Sequence, residues 1–382
     1  MKQMDTEKLL MIPGPTMVPS RVLNTMALPI IGHRTKDFGD LTEDTVNKMK
    51  EVFQTKNDTY IITGSGTAVM DMAISNTLDK GDKVINITNG NFGERFYKIS
   101  SVYKADAMKY EPEWGDLADP QILKELLEEN EDVKAVTVVH NETSTGAKNP
   151  IEDLGNVVKD FNAIYIVDTI SSLGGDYVDV DKFNIDICVT GSQKCIAAPP
   201  GLAAITVGEK AWDVVSKTET KSFYLDLNAY KKSWDGKKET PYTPSVSLTY
   251  AMNEALEMVL EEGLENRVKR HELLAKATRA GLEAMGLKLF AKERAQSVTV
   301  TSAYYPEGID DKKFRGLLAE KYNIRVAGGQ SHLTGKIFRV GHMGSAKEYQ
   351  VLGTLAAIEL AFKELGYNAE GGVAAAKKVL SN

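Results

Sequence analysis

Two stretches decide the fold of this chain: Ile164-Tyr165-Ile166-Val167-Asp168-Thr169 and Val189-Thr190-Gly191-Ser192-Gln193-Lys194. Each begins as an apolar, β-branched run that reads as a strand buried on both faces, and each ends in polar residues that packing alone does not require. Around them, from Asp58 to Val207, similar short runs alternate with segments of helical period, the pattern of a doubly wound α/β sheet. The strands predicted there are Tyr60 to Thr63, Val84 to Thr88, Val136 to His140, Ile164 to Asp168, Ile187 to Thr190 and Ala203 to Val207. Helices fill the gaps, as at Ile122 to Glu129.

Beyond the stretch Thr240 to Pro244 the pattern changes to a long helical run, from about Val246 to Met285. Strands at Ser297 to Thr301 and Ile337 to Val340 then mix with helices at Asp311 to Tyr322 and Lys347 to Leu365, as expected of a smaller α/β domain. At 382 residues the chain exceeds the size at which single cores stop growing. The expected division is an N-terminal arm at 1–20, a large domain at 21–255 and a small C-terminal domain at 256–382.

Composition narrows the function. The 42% hydrophobic and 26% charged shares suit a soluble globular protein, and a net charge of -7 opposes a nucleic-acid surface, which needs Lys and Arg to neutralise phosphates. The local cluster Lys231, Lys232, Lys237 and Lys238 around Trp234 reads as a solvated loop. No apolar run has the length of a membrane span and no secretory signal is apparent, so a cytoplasmic location without membrane attachment is expected. Cys188 and Cys195 lack a CxxC pattern, and His33, His140, His271, His332 and His342 lack ligand spacing, so neither a disulfide nor a metal site is expected.

Three elements carry chemistry. Ile61-Ile62-Thr63-Gly64-Ser65-Gly66-Thr67 runs from a strand through a turn into a helix beginning near Ala68. By itself it is equally a plain turn with a Thr cap or a phosphate cradle of small residues, backbone N–H groups and hydroxyls. Asp168 ends a strand, where ligands of open α/β sheets bind, although a strand-end Asp is also an ordinary turn residue. Lys194 follows another buried strand and precedes the apolar Cys195-Ile196-Ala197-Ala198. Together, an anion site, an acid and an amine fit one cofactor, pyridoxal phosphate, which needs a partner for each of its phosphate, ring nitrogen and aldehyde.

These residues, with Pro13-Gly14-Pro15, Val167-Asp168-Thr169-Ile170-Ser171-Ser172-Leu173-Gly174-Gly175 and Arg339-Val340-Gly341, make the chain resemble the class V aminotransferases of the alanine–glyoxylate and serine–pyruvate branch. The resemblance spans nearly the whole chain. It implies the type I pyridoxal-phosphate fold: a large doubly wound mixed-sheet domain with a smaller C-terminal α/β domain. It also implies that Lys194 holds the cofactor as an aldimine and that Asp168 pairs with the pyridine nitrogen. Ser65, Gly66, Thr67 and Gln193 would hold the phosphate, with Ile170 also at the cofactor. Ser144, in Asn141-Glu142-Thr143-Ser144-Thr145-Gly146, would bond the cofactor's edge. Phe92 would stack on the ring where several relatives carry tryptophan, and Thr67 stands where some carry histidine. Thr243 resembles a position that reaches the neighbouring subunit's phosphate, which implies a homodimer. Arg339 would take the substrate α-carboxylate, with Gly14 offering backbone nearby.

The implied reaction moves an amino group from alanine or serine to glyoxylate or pyruvate. Aspartate as donor stays open, with Arg34 or Arg325 as candidate cations for a distal carboxylate. A cysteine desulfurase-like lyase shares the fold, but Cys188 lies in a predicted strand and Cys195 directly follows the lysine. A non-catalytic assembly subunit is the remaining alternative, and the joint presence of Lys194, Asp168 and Arg339 opposes it.

Overall fold

A computed structural model of the chain describes residues 8–219 and 222–381. Its large sheet has seven strands: β1 (Asp58–Thr63), β2 (Lys83–Ile87), β3 (Asp106–Tyr110), β4 (Val133–Val139), β5 (Ile164–Asp168), β6 (Ile187–Gly191) and β7 (Leu202–Val207). The order across the sheet is β1-β7-β6-β5-β4-β2-β3. All neighbours are parallel except that β7 runs antiparallel to both β1 and β6. The two-residue period of a strand sends Tyr165 and Val167 into the apolar layer on one face and Ile164 and Ile166 into the layer on the other. That double burial is why β5 reads as an unbroken apolar run.

β3 was absent from the predicted strands. Asp106-Ala-Met-Lys-Tyr110 has little β propensity, and it forms an edge strand because β2 offers an open edge, in register from Lys83 with Asp106 to Ile87 with Tyr110. The predicted helical run to Met285 is two helices, α3 (Val246–Glu262) and α4 (Leu264–Ala284), with earlier helices α1 (Gly66–Ser75) and α2 (Asn91–Val102) following β1 and β2. The break falls at Gly263, whose φ of 80° lies outside the helical region. Ala251, Met252, Leu256 and Val259 of α3 pack into a large-sheet layer, whereas Leu274, Ala277 and Leu282 of α4 pack with the small sheet. Lys231, Lys232 and Lys237 of the cluster near Trp234 lie on a helix, Leu227–Lys237, where a loop was expected, with Lys238 just past its end, and Lys231 pairs with Asp58 at 2.6 Å.

The small sheet consists of β8 (Val300–Tyr304), β9 (Ala327–Gly328) and β10 (Ile337–Gly341) in the antiparallel order β8-β10-β9. β8 starts three residues later than expected. The Ser297 hydroxyl takes the N–H groups of Thr299 (3.0 Å) and Val300 (3.2 Å), and this local turn competes with strand pairing. Phe314, Phe338 and Phe362 pack together beneath the sheet, with Phe314 and Phe362 stacked at 4.4 Å between centroids.

Two features tie this sheet to the ends of the large one. The first is the N-terminal segment: Leu9–Leu10 pairs in parallel with Ile324–Arg325, Gly341 donates its N–H to Met11 O (2.9 Å), and Thr16 then bonds the backbone of Gln193 and Lys194. The second is Arg267 on α4, which is buried and donates to Gly174 O (2.7 Å), Cys195 O and Gly344 O (3.3 Å) while pairing with Glu262. Arg267→Leu orphans buried carbonyls at about 1–3 kcal/mol each, so a loss of about 3 kcal/mol is expected in urea unfolding.

Candidate active site

The carboxyl ends of β5 and β6 and the amino ends of α1 and α2 surround one cavity of about 410 Å³. Ligands in open α/β sheets bind at this end of the strands, where helix starts offer unspent N–H groups. Lys194 reaches into the cavity from the turn after β6, and its Nζ donates to the carbonyl oxygen of Pro13. Gly14 lies against it with a φ of 118°, and a Cβ there would sit 2.4 Å from Lys194 Cδ and 2.9 Å from Nζ. Only glycine satisfies both the backbone angle and the contact. Burial pushes the Lys194 ammonium down to about 8, with Arg339 and Arg95 acting in the same direction and Asp168 against them.

Asp168 closes β5 beside the same cavity. Its carboxylate accepts the Ile170 N–H at 2.7 Å, yet burial pushes the carboxyl up to about 7. A cationic group facing it would restore its ionisation, and a protonated ring nitrogen is such a group.

The phosphate end is built by the start of α1. Ser65 holds the cap position with extended backbone (φ -85°, ψ 167°), but its side chain makes no capping bond, so its hydroxyl stays available; Ala68 donates its N–H to Ser65 O (2.8 Å), and among the described residues no backbone carbonyl takes the N–H groups of Gly66 and Thr67. A Cβ on Gly66 would press on Ile170 Cδ1 at 2.5 Å, which keeps the turn close to the cavity wall. Gln193 Oε1 is buried without a hydrogen-bond partner. An amide can present either end to a ligand, so this orphan is a vacant contact for an anion. Gly14, Ser65, Gly66, Thr67, Phe92, Asp168, Ile170, Gln193 and Lys194 thus line one cavity, and the donors present fit pyridoxal phosphate.

Arg339 stands beside this group on β10. It is 6% exposed, and its guanidinium donates to Gly328 O (2.9 Å) and Thr143 O (2.8 Å), the latter residue itself lining the cavity. Burial pushes it down to about 10, with Glu142 opposing. Among the described residues no carboxylate forms an ion pair with it. A buried guanidinium held only by carbonyls has capacity left for an anion.

Other expected positions lie outside the cavity. Ser144 Oγ donates to Glu142 Oε1 (2.5 Å) and accepts the Asn91 N–H (2.9 Å), so its hydroxyl is spent within the protein and Thr143 lines the wall instead. Thr243 is exposed, 3.5 Å from His33 Nε2. Arg34 bonds Glu239 and the carbonyls of Thr240 and Pro241, and Arg325 is exposed on its short strand, so neither lines the cavity.

Three contributors were not singled out from sequence. Glu142 is fully buried and accepts the N–H groups of Phe92 (3.0 Å) and Gly93 (3.1 Å), which anchors the start of α2 and so the Phe92 ring. Burial raises its pKa, against those bonds. Asn141 lines the cavity with Oδ1 unpartnered. Arg95 follows Phe92 by three residues on α2, a spacing that puts both on one helix face and was the available signal for it.

A family model described as aminotransferase class-V matches residues 10–345. The chain belongs to that family. This class V aminotransferase is 70% identical, over 98% of each chain, to an uncharacterized aminotransferase of Methanocaldococcus jannaschii. It is 38% identical to the soluble hydrogenase 42 kDa subunit of Anabaena cylindrica, over 99% of this chain and all of the other. The crystal structure of a ureidoglycine–glyoxylate aminotransferase from Bacillus subtilis superposes with a TM-score of 0.96, at 33% identity and full coverage of both chains. The aminotransferase therefore has the type I fold, and its relatives include serine–glyoxylate and alanine–glyoxylate aminotransferases. Both cysteines of this aminotransferase are buried, which pushes their thiols up to about 12, the reverse of what a nucleophilic cysteine needs.

In the apoprotein, Lys194 should label with amine reagents increasingly as pH rises through about 8. Gly14→Ala is expected to displace the side chain and move that midpoint, read by peptide mass spectrometry across a pH series.

Proposed function

We propose that the enzyme holds pyridoxal phosphate through Lys194 and moves an amino group from alanine or serine to glyoxylate or pyruvate. The observation that carries this is Arg339, a buried guanidinium that has no carboxylate partner among the described residues and lies beside the cavity that contains Lys194 and Asp168. The chemistry supplied by pyridoxal phosphate when bound is an aldehyde that condenses with amines and a ring that accepts the electrons of a broken Cα–H bond.

The chain's own residues do the rest. Arg339 grips the α-carboxylate of each substrate through its planar fork, which fixes the Cα in place and orients the bond to be broken. Lys194, whose amine is held to about 8, has an uncharged fraction near neutral pH able to take the Cα proton and return it one position along. Asp168, ionised opposite a cationic ring nitrogen, keeps a proton on that atom. Phe92 and Ile170 supply apolar surface for a flat ring.

Small donors are favoured because Arg34 and Arg325 do not line the cavity and Arg95 is engaged with Thr67. Glyoxylate as acceptor is supported by the name of the Bacillus subtilis relative. Thr243 is exposed, and the family resemblance gives its position a reach to the neighbouring subunit's phosphate, which supports a homodimer as the working form; a cytoplasmic protein with neither nucleic acid nor membrane as partner completes this reading. Among the described residues, no helix is long and apolar enough to cross a membrane. The hydrogenase-subunit name of one relative raises an assembly role, but an assembly role has no use for a vacant set of Lys194, Asp168 and Arg339.

The test is the visible absorption of purified protein, with single amino acids added in the absence of any 2-oxo acid. Alanine or serine should abolish the visible band in wild type, and Lys194→Ala should not turn over. A response to aspartate alone would shift the donor, and no band after adding pyridoxal phosphate would overturn the proposal. Arg339→Gln should lower kcat/KM for donor and acceptor alike by about a hundredfold or more, with Arg339→Lys a poor rescue because an ammonium lacks the fork.

A further inference from the structure

The phosphate cradle lacks a charge of its own. Ser65, Gly66, Thr67 and Gln193 are all neutral, and a helix start contributes only about half a positive charge. A bound phosphate monoester carries nearly two negative charges at neutral pH. Arg339 stands beside the cavity at the end proposed above for the substrate carboxylate. A second arginine is Arg95.

Arg95 is half-buried on α2 and lines the cavity. Its NH1 donates to Thr67 Oγ1 at 2.7 Å, and its Cζ lies 4.7 Å from the centroid of the Phe92 ring. Among the described residues it has no carboxylate partner; the neighbouring Glu94 is taken by Lys109 at 2.8 Å. A half-buried guanidinium without an acid is a charge whose counterion is missing. The bond to Thr67 also has a direction. A hydroxyl that accepts a hydrogen bond from a cation has its own proton left to donate, and among the described residues no protein acceptor takes the Thr67 proton. Thr67 sits in the first turn of α1, next to Gly66 and Ser65, where an anion would be held.

We infer that Arg95 is a positioning residue for the cofactor phosphate: it supplies the positive charge absent from the cradle and, through Thr67, turns a hydroxyl into an oriented donor. The same guanidinium braces the face of Phe92, so one side chain couples the phosphate end of the site to its aromatic wall. This rests on the proposed use of pyridoxal phosphate.

The experiment measures binding to apoprotein by calorimetry with two probes, pyridoxal phosphate and pyridoxal, which differ only in the phosphate. Arg95→Gln should weaken pyridoxal phosphate by about tenfold or more, the scale of a lost charged hydrogen bond, and weaken pyridoxal much less. Arg95→Lys should recover part of the loss. Thr67→Val should also weaken pyridoxal phosphate, and adding Arg95→Gln to it should cost far less than in wild type, because the two act as one unit. Unchanged affinity in Arg95→Gln overturns the inference, as do equal losses for both probes or fully additive losses in the cycle. Should Arg95→Gln fail to fold, Arg95→Lys and Thr67→Val carry the same comparison. Wild-type protein that binds pyridoxal but gains nothing from the phosphate overturns this inference alone, whereas wild type that binds neither overturns the functional reading with it.

Discussion

Burial of an amine and a carboxyl at the ends of adjacent strands is the constraint around which the site is arranged. Lys194 and Asp168 each lose solvation there, and each responds by leaning toward its neutral form. Among the described residues neither finds an ion-pair partner, and the contacts they do make are to backbone: the Pro13 carbonyl for the amine and the Ile170 N–H for the acid. Around them the protein has placed glycines where a side chain would intrude, at Gly14 and Gly66, and rigid helix starts at α1 and α2. Two desolvated groups facing one cavity amount to stored capacity for a ligand that carries the complementary atoms.

A second buried acid does a different task. Glu142 gathers four donors, from Phe92, Gly93 and both Ser144 groups, and so spends its charge on holding loop and helix together. Gly90 must be glycine beside it, since a Cβ would come within 2.1 Å of Glu142 Cγ. The aromatic wall of the cavity thus owes its position to a carboxylate that does not face the ligand space.

Much of this was legible in the sequence because the deciding signals are local. Buried strands show as apolar runs, and Asp168 and Lys194 stand out as polar ends on two of them. The same locality explains the misses. β3 depends on the open edge of β2, and the late start of β8 depends on how one serine hydroxyl is used. The hydroxyl of Ser144 serves Glu142 and Asn91, a use that its family position, which gives proximity alone, does not show. The spacing from Phe92 puts Arg95 on the same helix face, but its bond to Thr67 depends on the starts of α1 and α2 converging, which no local spacing shows.

The route of the N-terminal segment has a further meaning. Residues 9–16 are held by backbone bonds to residues 323, 324, 325 and 341 on their way to direct contacts with Gln193 and Lys194, while α4 braces the lysine turn from behind through Arg267. The lysine's surroundings therefore join the first twentieth of the chain to its last sixth, a sequence separation that makes closure late and slow compared with local structure. During synthesis the large sheet can collapse first, but the finished lysine environment has to wait until the small sheet has emerged. A nascent chain truncated before β10 would carry every strand of the large sheet without a finished lysine environment.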